Sequence, residues 1–218
     1  MIFHDDSAHQ RRLLGSWALV LSWSVPKGLG LSRPATYEDL RRVPDHLVAE
    51  IVDGELYATP RPALRHALAG SSLGDELVSP FQKGRGGPGG WWILFEPELH
   101  LASDILVPDL AGWRRERVSV IPDEPFLTLA PDWVAEILSP STARLDRLKK
   151  LDVYAREQVA HVWLLDPATR ILEVLALEEA RWVIQATFGQ DERVRAVPFD
   201  AVEIDLAQLW GERAAQRP

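Results

Sequence analysis

Three acids stand where apolar strands normally exclude them. Asp109 lies within ILVPDLAGW, Glu136 within WVAEIL and Glu50 within LVAEIV. Burying an unpaired charge is costly, so such an acid needs a basic partner or a bound cation. Strand alternation gives Glu136 the face-mates Val134 and Leu138, and gives Glu50 Val48 and Val52. One acid of this kind reads best as half of a structural ion pair. Three that converge on one point could share a hard divalent cation. Lys149 and Lys150 follow on a helix. Adjacent lysines usually form a solvated face, but a cation at the edge of a carboxylate site would stabilise a hydroxide or a developing phosphorane charge. A helical wheel puts Lys149 nearer than Lys150 to the apolar stripe of Leu145, Leu148 and Leu151.

Composition removes the competing chemistries. The 218-residue chain has no cysteine, which excludes disulfides, thiolate zinc, iron–sulfur clusters and a cysteine nucleophile. Its histidines, at positions 4, 9, 46, 66, 100 and 161, include no helical zinc pair. A metal site must therefore be built mainly of oxygen, which favours Mg²⁺ or Mn²⁺. The net charge of -8 is not the basic footprint usual for a nucleic-acid binder. Local basic candidates are Arg144, Arg147, Lys149 and Arg156, then Lys83 and Arg85, then Arg114, Arg115 and Arg117. GRGGPGG formally fits GxGxxG, but Pro88 interrupts it and a strand follows, so it is no phosphate cradle. Ser139 and Ser141 lack a nucleophile elbow and read as helix caps, Ser141 foremost. Asp132 reads as a turn residue at a strand start. The tryptophans of the strand-like runs read as core.

Those residues need elements to hold them. Thr36 and Asp39 form a capping box for a short helix ended by Pro44. LVAEIV and ELYATP flank Asp53-Gly54, the dipeptide of a type I′ hairpin turn. A helix follows over residues 61–82, then strands WWILF, ELHLA, ILVPDLAGW and WVAEIL. STARLDRLKKLDVYAREQ is the clearest helix, and HVWLLD, RILEVLAL and RWVIQATF are strands, with a last helical turn near 205–210. This is an α/β (α+β) order around a central mixed sheet, with one parallel pair expected across residues 133–166. The chain divides into an extension over 1–33, a domain over 34–213 and a tail over 214–218. In the extension, Arg11-Arg12 precede the uncharged stretch Leu13 to Val25, which looks slightly like an export signal; a packing arm or an early start codon is the plainer reading. No other membrane candidate is present.

The order TYEDL, EIVDGEL, RHALAG, VPDLAGW, APDWVAEILSPST, KLDVYA, HVWLLDP, DLAQLW resembles the Uma-type restriction endonucleases of bacteria, a branch of the PD-(D/E)xK nuclease superfamily. The resemblance implies a restriction-endonuclease-like core. It implies Asp109 and Glu136 as metal ligands for Mg²⁺ or Mn²⁺, with the Ile137 carbonyl as a further donor and Glu50, the upstream acid, completing the metal's shell or holding a second ion. The signature lysine position is Leu138 here, so the lysine role falls to Lys150 on the next helix, with Lys149 as substitute. His66 gains an edge-of-site role against the usual reading of a lone helical histidine as structural. The implied function is metal-dependent endonuclease hydrolysis of DNA by a cytoplasmic protein, with a homodimer suited to cutting two strands. The alternative is a catalytically silent nuclease-fold protein that binds nucleic acid or a protein partner.

Overall fold

The computed structural model describes residues 30–211. The signal-like stretch and the tail lie outside the described residues.

Thr36 accepts from the Asp39 N–H and the Asp39 carboxylate accepts in return, the expected capping box, and this starts α1 (Tyr37–Leu40). The hairpin β1 (Leu47–Val52) and β2 (Glu55–Pro60) follows, with Asp53 and Gly54 both left-handed at φ 51° and 76°, as a type I′ turn requires. Next comes α2 (Leu64–Leu77), extended by a π turn over Val78–Gln82. The glycine-rich loop then leads into β3 (Trp91–Phe95), a strand as expected.

The run ILVPDLAGW is not one strand. It divides into β5 (Asp104–Leu106), paired with β4 (Leu99–Leu101), and β6 (Leu110–Arg114) in the other sheet. Pro108 has no N–H for a ladder, so the chain breaks there and changes sheets. Asp109 therefore sits in the junction rather than inside a strand.

β7 (Trp133–Ile137) is followed by a continuous helix, α3 (Ala143–Leu145), a π turn over Asp146–Lys150 and α4 (Leu151–Arg156). Ser139, not Ser141, accepts from the Thr142 N–H at its start, at 3.2 Å. β8 (His161–Asp166) returns parallel to β7, as expected. The antiparallel β9 (Ile171–Glu178) and β10 (Arg181–Gly189) complete a six-stranded mixed sheet in the order β10-β9-β8-β7-β6-β3. A second sheet runs β2-β1-β5-β4, and the short pair β11 (Arg193–Val194) and β12 (Ile204–Asp205) precedes α5 (Leu206–Leu209).

Both faces of the large sheet are covered, which is why its central strands read as unbroken apolar runs. Trp133, Ala135 and Ile137 join Trp163, Phe199 and Leu73 of α2 in one core. Val134 and Leu138 join Val153 and Tyr154 of α4 in the other, together with Val52 of the small sheet. Trp91, Trp113, Trp133 and Trp163 are buried, and Trp92 and Trp182 are half-buried. Among the described residues, no helix is long and apolar enough to cross a membrane.

Candidate active site

Glu50 and Glu136 are the acids of two strands from different sheets, each turned toward the helix that carries Lys150. Glu136 shares its sheet face with Val134 and Leu138, as the alternation requires, and is 2% exposed. Lys150 reaches them both: its Nζ lies 2.9 Å from Glu50 Oε1 and 3.0 Å from Glu136 Oε1. Asp146, one turn earlier, stands 3.5 Å from the same Nζ. Glu50 Oε1 also accepts the Val107 N–H at 2.8 Å, which ties the acid to the break before Pro108. Tyr154 donates to Glu136 Oε1.

The choice between the two lysines follows from the helix's true inward face. That face carries Leu145, Asp146, Lys150, Val153 and Tyr154. The π turn, closed by Leu151 N–H to the Asp146 carbonyl, widens the helix at this point. Leu148, expected in the apolar stripe, is 59% exposed. Lys149 points outward to Glu55 at 3.0 Å. Asp146 had no signal in the sequence, because it read as one more charge on a charged helix.

Asp109 lies at the junction mouth. The Ile137 N–H donates to its Oδ2 at 2.7 Å, and His66 Nε2 faces its Oδ1 at 3.3 Å. Both side chains keep some exposure, 12% for His66 and 20% for Asp109. They line a cleft of about 390 Å³ together with Glu50, Glu136, Asp146 and Lys150. The structure thus brings Glu50, Asp109, Glu136 and Lys150 to one place, and His66 with them.

Electrostatics in the cleft are dominated by burial and by too many acids. Burial raises the Glu136 carboxyl well above its ordinary range despite Lys150, and Asp146, Asp109 and Glu50 raise it further. Burial likewise pushes Asp146 up to about 6 against the pull of Lys150, with Glu50 adding to the rise. Burial alone would lower Lys150, yet Glu136 and Glu50 outweigh it and hold the ammonium well above its ordinary value. Burial also disfavours a charged His66, but Asp109, the Ile137 backbone and Asp146 together raise its pKa.

A divalent ion fits this donor set. Five carboxylates, Glu50, Glu96, Asp109, Glu136 and Asp146, line the cleft against Lys150, Arg61 and His66, so negative charge is left over when all are ionised. The donors are hard oxygens, suited to Mg²⁺ or Mn²⁺. Among the described residues, no three acidic or histidine side chains are grouped tightly enough to hold an ion alone. Asp109 and Glu136 would supply the carboxylates, and the Ile137 carbonyl and water the rest, which matches the habit of Mg²⁺ of keeping several waters.

The basic residues expected to meet a nucleic acid are mostly engaged elsewhere. Arg147 pairs with Glu173, Arg156 with Asp104 and Asp53, and Arg117 with Asp132 at 2.9 Å. Arg114 and Arg115 lie over the rings of Trp91 and Trp92. Arg144, Lys83 and Arg85 are exposed. Asp132 is structural, accepting the Arg114 N–H at 2.8 Å.

Comparison with known proteins adds two findings. The family model Uma2, described as "Putative restriction endonuclease", matches residues 34–207. A solved structure described as a putative nuclease belonging to DUF820, from Anabaena variabilis, has a TM-score of 0.65 and 20% identity over 82% of this chain and 98% of that one. At that identity the likeness speaks for the fold, a mixed α/β arrangement around a central mixed sheet. None of the curated proteins matches the chain.

Proposed function

The chain belongs to the Uma2 family of putative restriction endonucleases, and on that premise we propose that it is a divalent-metal-dependent endonuclease that hydrolyses phosphodiester bonds in DNA. The observation that carries this reading is the meeting of Glu50, Asp109, Glu136 and Lys150, from four separate elements or junctions, on the floor of one cleft. The solved relative described as a putative nuclease is consistent with it.

Asp109 and Glu136 would hold Mg²⁺ or Mn²⁺ with the Ile137 carbonyl, and Glu50 would complete the acidic floor. When bound, the ion supplies a Lewis acid for a phosphoryl oxygen and lowers the pKa of a water. The chain's own residues do the positioning. The Ile137 N–H fixes Asp109 Oδ2 and leaves Oδ1 toward the cleft. Lys150 holds Glu50 and Glu136 in register, and its charge, buried in a weakly screening floor, offsets charge that grows on the scissile phosphate. Lys150 is thus a positioning residue first.

The test is cleavage of single-stranded and plasmid DNA with Mg²⁺ or Mn²⁺ by wild type and by Asp109→Ala combined with Glu136→Ala. The expected result is metal-dependent cutting that falls by about 100-fold or more in the double variant. Cutting that survives in the variant, or in chelator, would sink the reading. A second reading draws on Leu138, which leaves the usual lysine position apolar and 6% exposed. On that reading the protein binds DNA without cutting, and tight DNA binding with no cleavage under every metal would favour it.

A further inference from the structure

Among the described residues, the basic side chains that line the cleft are Lys150, His66 and Arg61. Acids already hold two of them. Lys150 is buried against Glu50, Glu136 and Asp146, and His66 faces Asp109. Arg61 is exposed, and its Nη2 donates to the Asp45 carbonyl at 3.3 Å, long for a hydrogen bond. No acid pairs with it, so most of its five N–H donors face solvent. The chain presents this side chain stiffly. β2 ends at Pro60, and Pro62 follows Arg61 directly. Each proline ring fixes its own φ at about −65°, and Pro62 also confines Arg61 to extended backbone. Arg61 thus stands on a short, restricted link between β2 and α2, the helix that carries His66. A second open space begins at the same link. A groove of about 520 Å³ adjoins the cleft and shares Val48, Arg61, Glu96 and Val107 with it. Arg41, at the end of α1, lines this groove too, and no acid pairs with it, whereas Glu38 takes its neighbour Arg42.

Resting on the endonuclease reading above, we propose that Arg61 is a substrate-binding residue: it grips the phosphate next to the scissile one, and the DNA strand leaves the cleft along this groove. A polyanion that approaches a floor of acids needs cations that no acid has neutralised. Lys150 and His66 do not meet that need, and Arg61 does. A guanidinium also offers parallel N–H donors that match two oxygens of a phosphate. Arg61 stands where the cleft opens into the groove, away from the floor where Glu136 and Lys150 are sealed. It therefore holds the strand equally before and during the reaction, and sets affinity rather than the chemical step.

The experiment measures binding of the full chain to a fluorescein-labelled DNA duplex with a single-stranded tail, by anisotropy across a salt series with Ca²⁺ present. Cleavage of the same DNA with Mg²⁺ or Mn²⁺ is followed in parallel. Arg61→Gln should weaken binding by about tenfold and flatten the slope of log affinity against log salt by about 0.7–0.9, one phosphate contact. In cleavage, KM should rise by about tenfold with kcat changed by less than about threefold. Arg61→Lys keeps the charge and should restore the slope with part of the affinity. Arg181→Gln makes the same charge change on β10, at the opposite edge of the large sheet from β3, and should match wild type. Equal affinity and slope in wild type and Arg61→Gln overturns the role of Arg61. An equal loss in Arg181→Gln overturns it as well, since net charge alone would then explain the effect. A wild type that binds DNA through Arg61 but cuts with neither ion overturns the endonuclease function and leaves Arg61 as a DNA contact. A folded wild type that binds no DNA overturns both.

Discussion

Lys150 and Asp146 decide the charge balance of the cleft, and both can be tested singly. Among the described residues, Lys150 is the lysine that pairs with Glu50, Glu136 and Asp146, so Lys150→Met leaves these three buried acids without that counter-ion. The expected loss is about 3–5 kcal/mol in urea denaturation. Lys149→Met, which removes an exposed pair with Glu55, should cost less than about 1 kcal/mol. Equal costs would mean that the helix presents a different face in solution. Asp146 gives a pH dependence of definite sign. Its folded pKa of about 6 lies above the ordinary 3.8, so the fold prefers the protonated acid. Stability is therefore fullest below the ordinary value and is lost as pH rises through about 6, by about 3 kcal/mol. Asp146→Asn mimics the protonated form. Its melting temperature should match wild type near pH 4 and exceed it above pH 7, and a gap that does not vary with pH would refute the assignment.

Four local devices aim these residues, and they differ in how legible they were. The capping box at Thr36 and the Asp53-Gly54 turn are local chemistry, so the sequence showed them directly. Gly54 is left-handed, and a Cβ there would stand 3.3 Å from the Pro34 side chain. Gly54→Ala should therefore destabilise the protein by about 1 kcal/mol, measured by chemical denaturation, with wild-type Mn²⁺ binding retained. No loss of stability would show that the turn relaxes freely. The other two devices were harder to see. Pro108 splits an apolar run between two sheets, although hydropathy alone reads that run as one strand. The π turn over Asp146–Lys150 lies on a helix whose inward face is charged, so a search for an apolar stripe chose Leu148, which faces solvent. The reading failed because buried charge and solvated charge look alike in a sequence.

Over the whole molecule, the acids come from both sheets and the lysine from the crossover helix between the parallel strands β7 and β8. The cleft thus exists only when the two sheets and that helix are docked. An ion bound there should stabilise the whole fold. At an ion concentration of about 100 times the dissociation constant, binding adds about 2.7 kcal/mol, which raises the melting temperature by about 5–10 °C. Differential scanning calorimetry with Mn²⁺ should show the rise, and chelator, or Asp109→Ala combined with Glu136→Ala, should remove it. An unchanged melting temperature in wild type would count against the metal site. The pairing of most basic candidates with acids or tryptophans shows how little a list of arginines says about a binding surface. An arginine's partner is set by the fold, and Arg156 finds Asp104 fifty-two residues away.

The sequence by itself determined the family, the mixed α/β order and the parallel crossover, and it singled out three acids by their place in apolar runs. Each of those rests on local patterning or on the anomaly of a charge in an apolar strand, and both survive in one dimension. Only the tertiary structure decided which lysine serves the acids, that Asp146 joins them and that His66 faces Asp109. Those facts depend on side chains distant in sequence meeting in a weakly screening interior. There, the energy of each charge is set by its neighbours in space rather than along the chain.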